Sequence, residues 1–165
     1  MPIETVVESG DWSEALLGDW VESASTATLQ YVGIDPANCT MTVMGCDDAR
    51  IALLNADFRD KSTATNVLSW PAEELRPDIE GGMPVAPSPD FAGQIELGDI
   101  AIASETCSRE AFELEKTVRD HTTHLIVHGT LHLLGYDHVL DLDALLMQGL
   151  ETEILGKLGL DDPYR

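Results

Sequence analysis

The chain has 165 residues and carries 9 Lys and Arg against 30 Asp and Glu, a formal net charge of −21. That length suits one domain with a real core, spanning 1–165, while so acidic a balance argues against broad, non-specific nucleic-acid binding, which depends on neutralising phosphates. Cys39, Cys46 and Cys107 are an odd, scattered set without a CxxC, which excludes a disulfide framework and points to free thiols in a reducing compartment.

The N-terminus MPIETVVESG lacks the basic start and apolar centre of a signal peptide, and no apolar run reaches membrane-spanning length; a cytoplasmic protein without a membrane partner is expected. Ile3 to Val7 suits a short strand. From Asp11, read as an N-cap, Leu16, Leu17, Trp20, Val21 and Ala24 recur at helical spacing. Tyr31 to Ile34 reads as a strand before the turn-prone Asp35-Pro36. Cys39 to Gly45 alternates Met41, Val43 and Gly45 against Thr40 and Thr42, a further strand. Asp47 or Asp48 then caps a helix carrying Ile51, Leu53, Leu54 and Phe58. Arg59 follows it, in a polar loop leading to a strand over Asn66 to Trp70.

Residues 76–94 are rich in proline and glycine and predict a long irregular loop, with a short edge strand near Met83 to Ala86. Leu97 to Ala103 gives an apolar strand. The chain turns helical from Ser104 or Thr106, and a longer helix runs from near Lys116 to Leu134. Asp141 or Asp143 caps a last amphipathic helix with Leu145, Leu146, Leu150, Ile154, Leu155 and Leu158 on its packing side and its acids on a solvated face. Short strands interleaved with helices imply an α+β (mixed α/β) domain, a small mixed sheet with helices packed on it.

All five histidines fall between His121 and His138. His128 and His132 are four apart, so on a helix they share one face, about 5–6 Å apart at Cβ, and can reach one ion at about 2.0–2.1 Å each. Gly135 then provides a left-handed stop that returns the chain, through Tyr136 and Asp137, to bring His138 to the pair. HxxxHxxGxxH therefore predicts one metal ion held by His128, His132 and His138. Three imidazoles without an evident fourth ligand form the open arrangement of a catalytic zinc, although copper, iron and nickel share the ligand preference. His121 and His124 lie on much of the same face and are read as supporting residues. In zinc proteases with this spacing the residue after the first histidine is a glutamate base. Here it is Gly129, so the site looks hydrolytic without being an ordinary protease.

HGTLHLLGYDH resembles the signature of the YbeY family of zinc endoribonucleases, bacterial ribosomal RNA maturation factors. LNADFRDKSTATNVLSWP (Leu53 to Pro71) resembles that family's other motif, with Arg59, Thr65, Asn66, Val67, Leu68 and Ser69 in place, and LGDIAIASE (Leu97 to Glu105) resembles its central strand. The resemblance covers roughly residues 45 to 164. It implies metal-dependent endonucleolytic cleavage of single-stranded RNA in maturation of the 16S rRNA 3′ end and in ribosome quality control, with precursor rRNA and ribosomal proteins as partners. It also places Arg59 beside the zinc, where a guanidinium neutralises phosphoryl charge in the transition state. Ser69 and Thr65 are candidates for substrate hydrogen bonds, with strand and turn packing an equal explanation of both. Asp137 and His124 are candidates for orienting an imidazole; for Asp137, orientation or turn capping ranks above accepting a proton during hydrolysis.

Such a chain needs a local basic cleft or a docking partner, and Arg50, Arg59, Lys61, Arg109, Lys116 and Arg119 are the candidate cations. The sequence offers no general base, so water and the RNA's own 2′-hydroxyl both stand as nucleophiles. Two other readings keep the three ligands: a zinc hydrolase of peptides or small molecules with another base, and a non-catalytic assembly factor whose zinc is closed by a fourth ligand such as Asp137 or a cysteine.

Overall fold

The computed structural model describes residues 3–164, with the side chains of Phe58 and Arg59 outside the described set. Its elements run β1 (Ile3–Val7), α1 (Glu14–Tyr31), a short 3₁₀ turn (Pro36–Asn38), β2 (Cys39–Cys46), α2 (Asp48–Arg59), β3 (Val67–Pro71), β4 (Ile95–Ala103), α3 (Ser104–Glu113), α4 (Val118–Leu133) and α5 (Asp141–Lys157). The four strands form one mixed sheet in the order β1-β2-β4-β3. β1, β2 and β4 are parallel, and β3 runs antiparallel to β4. The expected α+β fold with a small mixed sheet is what forms.

Side-chain alternation decides which helices cover which face. In β2, Cys39, Met41 and Val43 are buried while Thr40 and Thr42 are half-buried. Met41 and Val43 join Ile100 and Ile102 of β4, Leu17 and Val21 of α1, and Ile126 and Leu131 of α4 in the main core. The alternate residues Leu68, Ala101 and Ala103 meet Ile51 of α2 on the opposite face. β4 is thus covered on both sides, which is why its second half reads as an unbroken apolar run. α4 packs against α1, α3, α5, β3 and β4, so the histidine-bearing helix is central. Among the described residues no helix is long and apolar enough to cross a membrane.

Several local expectations are corrected. Ser13, not Asp11, caps α1, its hydroxyl accepting from the Leu16 N–H at 3.2 Å; the Asp11 N–H instead donates to Ser104 Oγ. Tyr31 to Ile34 is no strand. Tyr31 closes α1 and Gly33 follows in the left-handed region at φ +83°. Met83 to Ala86 also forms no strand; Val85 makes one backbone bond, to the Leu75 carbonyl, between two prolines that cannot donate. Leu140, not Asp141 or Asp143, is the N-cap of α5, and both aspartates lie within its first turn. Arg59 is the last residue of α2 rather than the first of the loop. Gly98 lies inside β4 at a register shift opposite Thr40 and Met41. A Cβ there would stand 2.1 Å from the Trp70 carbonyl oxygen, so only glycine fits this bulge.

Candidate metal centre

α4 begins where the Thr117 hydroxyl accepts from the Asp120 N–H, and ends in a glycine stop. Gly135 has φ +101°, with its N–H on the His132 carbonyl and the Tyr136 N–H on the Leu131 carbonyl, the paired bonds of a Schellman turn. A Cβ at 135 would meet the Leu75 carbonyl carbon and oxygen at 2.7 Å. Gly135→Ala is therefore expected to lower unfolding free energy by about 3 kcal/mol through strain and clash, and to displace His138; urea melts and metal titration of the variant check both effects.

The turn brings the third imidazole back. Ring centroids of His128, His132 and His138 lie 4.6, 5.0 and 5.0 Å apart, and one nitrogen from each falls within 4.8 Å of the others. These three form a group able to hold a metal ion, and no other Asp, Glu, Cys or His joins it among the described residues.

The protons argue for a cation. His132 Nδ1 lies 2.9 Å from the Tyr136 carbonyl oxygen, which can only accept, so the proton sits on Nδ1 and Nε2 carries the lone pair. His128 Nδ1 lies 3.2 Å from Glu151 Oε1 and donates to that carboxylate in the same way. With both rings neutral, the two Nε2 atoms face each other at 3.1 Å. Donors around a tetrahedral ion at about 2.0–2.1 Å stand about 3.3 Å apart, so the spacing of this pair is that of two donors on one ion.

Burial, then the neighbouring His128 and His138, push the His132 imidazole down to about 4, against the opposing influence of Asp137 and the Tyr136 carbonyl. Burial pushes the Glu151 carboxyl up, but the hydrogen bonds and charge of His124 and His128 outweigh it and hold it at about 2. Between about 6.5 and 4 the unfolded chain therefore binds the His132 proton that the folded chain refuses, so the metal-free protein loses stability as pH falls through that window. Glu151 acts lower: its contribution is full above the ordinary carboxyl value and lost as pH falls toward 2. Thermal melts of metal-free protein are expected to shift steadily downward from about pH 7 to about pH 4; an unchanging midpoint would contradict this proton assignment.

The centre opens into a cleft of about 1080 Å³ whose walls include Thr65 to Ser69, Glu73 to Arg76, Glu110, Glu113, His121, His124 and Tyr164. Ser69 sits there on β3, paired with Ile100. Asp137 Oδ1 accepts from the His138 N–H at 2.8 Å, so this side chain caps the turn that returns the third histidine. His124 donates toward Glu151 Oε1 at 2.7 Å, two bonds removed from the metal group. His121 turns to Glu110, which also accepts from Asn66. The Arg59 side chain lies outside the described residues. Arg50, Lys61, Arg109, Lys116 and Arg119 do not line this cleft; Arg50 pairs with Glu8, Arg109 with Glu113 and Arg119 with Asp120. Among the described residues the cation that lines it is Arg76, bonded to Glu74 and 3.8 Å from Asp137, a loop residue without a motif to mark it.

Glu151 is the other residue that sequence reasoning missed, its acid having been assigned with others of α5 to a solvated face. It is fully buried. Its place four residues after Met147 and three before Ile154 sets it on the apolar stripe of the helix, the one signal that separates it from its exposed neighbours.

A family model described as Endoribonuclease YbeY matches residues 3–159. A Ruegeria pomeroyi protein named Endoribonuclease YbeY is 56% identical over 164 residues, 99% of this chain and 98% of its own length. One of the same name from Cereibacter sphaeroides is 53% identical, over 98% of each chain. The solution structure of TM1509 from Thermotoga maritima shares the fold, with a TM-score of 0.55 at 20% identity over 99% of both chains. With nearly the whole chain matched and its three-histidine centre formed, this protein belongs to the endoribonuclease YbeY family.

Proposed function

We propose that this protein is a zinc-dependent endoribonuclease that cuts single-stranded precursor ribosomal RNA at the group formed by His128, His132 and His138, in maturation of the 16S 3′ end and in ribosome quality control. The observation that carries the metal part is the convergence of the His128 and His132 Nε2 atoms at 3.1 Å, with the third imidazole beside them. RNA as the substrate class is supported by the relatives' shared name. When bound, zinc supplies a Lewis acid that polarises water or a phosphoryl oxygen.

The chain's own residues do the rest. The Tyr136 carbonyl and Glu151 fix the Nδ1 protons of His132 and His128, which keeps Nε2 of each directed at the ion. Arg59 neutralises phosphoryl charge in the transition state. Ser69, at the cleft wall, is placed to donate to a phosphate or sugar oxygen. Single strands suit this cleft better than duplexes, because Glu73, Glu74, Glu110 and Glu113 oppose the denser charge of paired backbones. Docking on the ribosome, a cytoplasmic assembly, would supply the affinity that a chain of charge −21 lacks.

The structural features weigh against the two other readings. A closed, purely structural zinc needs a fourth ligand, and among the described residues no Asp, Glu or Cys joins the three histidines. All three cysteines are buried, with Sγ facing backbone carbonyls of Asp35, Ile102 and Asn66. The protease-type base is missing, because position 129 is a glycine facing Ile100 of the sheet, so a peptidase reading has to draw its base from elsewhere in the cleft. Labelled single-stranded RNA and a matched duplex, offered to the purified protein, test the proposal: the single strand is cut and the duplex spared. Cleavage of unstructured peptides but not RNA would overturn it. Product ends identify the nucleophile, since a 2′,3′-cyclic phosphate excludes direct attack by water.

A further inference from the structure

Glu151 is the only buried Asp or Glu among the described residues. A carboxylate taken out of water ordinarily keeps a cationic partner, but no described Lys or Arg bonds to this one. Its partners are two imidazoles and a phenol. Oε1 takes His124 Nε2 at 2.7 Å and His128 Nδ1 at 3.2 Å, leaving Oε2 to accept the Tyr164 hydroxyl at 2.9 Å.

Tyr164 is itself held in place. Asp162 Oδ1 accepts both the Tyr164 N–H, at 2.8 Å, and the Thr152 hydroxyl, at 3.1 Å, so the segment after α5 is tied to the residue next to Glu151. The Tyr164 ring meets His124 edge-on, with centroids 5.8 Å apart. Both carboxylate oxygens are therefore fixed, one by histidines of α4 and one by this clasp. A carboxylate held so rigidly against Nδ1–H raises the basicity of the opposite nitrogen and fixes the ring plane.

We infer that Glu151 is a positioning residue and counter-charge for the cation held by His128, His132 and His138, and that Tyr164 locks its carboxylate for that task. This rests on the metal reading above and assigns part of the metal affinity to a segment outside the histidine motif.

The test uses the full-length wild type, Glu151→Gln and Tyr164→Phe, with zinc as the probe in competition against a chromophoric chelator. Zinc affinity is expected to fall about 10–100-fold in Glu151→Gln and about fivefold in Tyr164→Phe, which loses one hydrogen bond. Visible spectra of the cobalt-substituted proteins should shift in Glu151→Gln, because the His128 ring is no longer held; a role in folding alone would leave those bands in place. Zinc affinities within twofold of wild type in both variants would overturn the inference. Should Glu151→Gln fail to fold, Tyr164→Phe decides alone, and an unchanged affinity there overturns it. A wild type that takes up no zinc would instead remove the metal reading itself, a result distinct from tight binding by all three proteins.

Discussion

His132→Ala is expected to lower cleavage of single-stranded RNA by at least about a thousandfold while leaving the protein folded. His132 is the middle ligand of the predicted three. It shares a helix face with His128, its Nε2 standing 3.1 Å from that of its neighbour, and it also bonds the turn that presents His138. Its loss leaves two imidazoles and frees the Tyr136 carbonyl, so the ion is lost and the returning loop loosens. Electrophilic stabilisation by a metal contributes several kcal/mol to a phosphoryl transition state, and each 1.36 kcal/mol is tenfold in rate, which gives the thousandfold figure. The fold persists because α4 is anchored by Ile126, Leu131 and Leu133, all almost completely buried on the far side from the cleft chemistry. Circular dichroism together with a cleavage time course checks both halves of the expectation.

Gly129→Glu, which restores the sequence of a zinc protease, is expected to destabilise the protein by about 3–5 kcal/mol and to confer no peptidase activity. A Cβ at 129 already meets Ile100 Cδ1 at 3.0 Å, and Gly129 is buried on α4. A glutamate there enters the core with no described cation beside it, and an uncompensated buried charge costs that order of free energy. Denaturant unfolding measures the loss. A variant as stable as the wild type that cleaves casein would show that position 129 faces the ion after all. The glycine is thus a packing requirement of α4 on β4, and the absent base follows from it.

The three-histidine group was legible because its spacing carries its geometry: four residues on a helix, a glycine that stops it, and a ligand on the return. β2 and β4 were legible from their alternation and their apolar run. Tyr31 to Ile34 was not, because a short apolar stretch of β-prone residues reads alike as a helix end or a strand, and here Gly33 turns the chain. The edge strand near Met83 failed for lack of donors around Pro84 and Pro87. Glu151 was lost among the acids of α5, since only its register against Met147, Ile154 and Leu155 shows that it points inward. The candidate cations were chosen by nearness in sequence to the motifs, whereas Arg76 reaches the cleft from a loop whose course no periodicity fixes.

The most direct test of the central claim is cleavage of a labelled single-stranded RNA by wild type and His132→Ala, each stripped of metal by a chelator and then titrated with zinc. The account predicts that stripped wild type is inactive, that activity returns and saturates at about one zinc per chain, and that His132→Ala stays inactive throughout. Stripped wild type that still cuts, or His132→Ala that recovers equally, would contradict it.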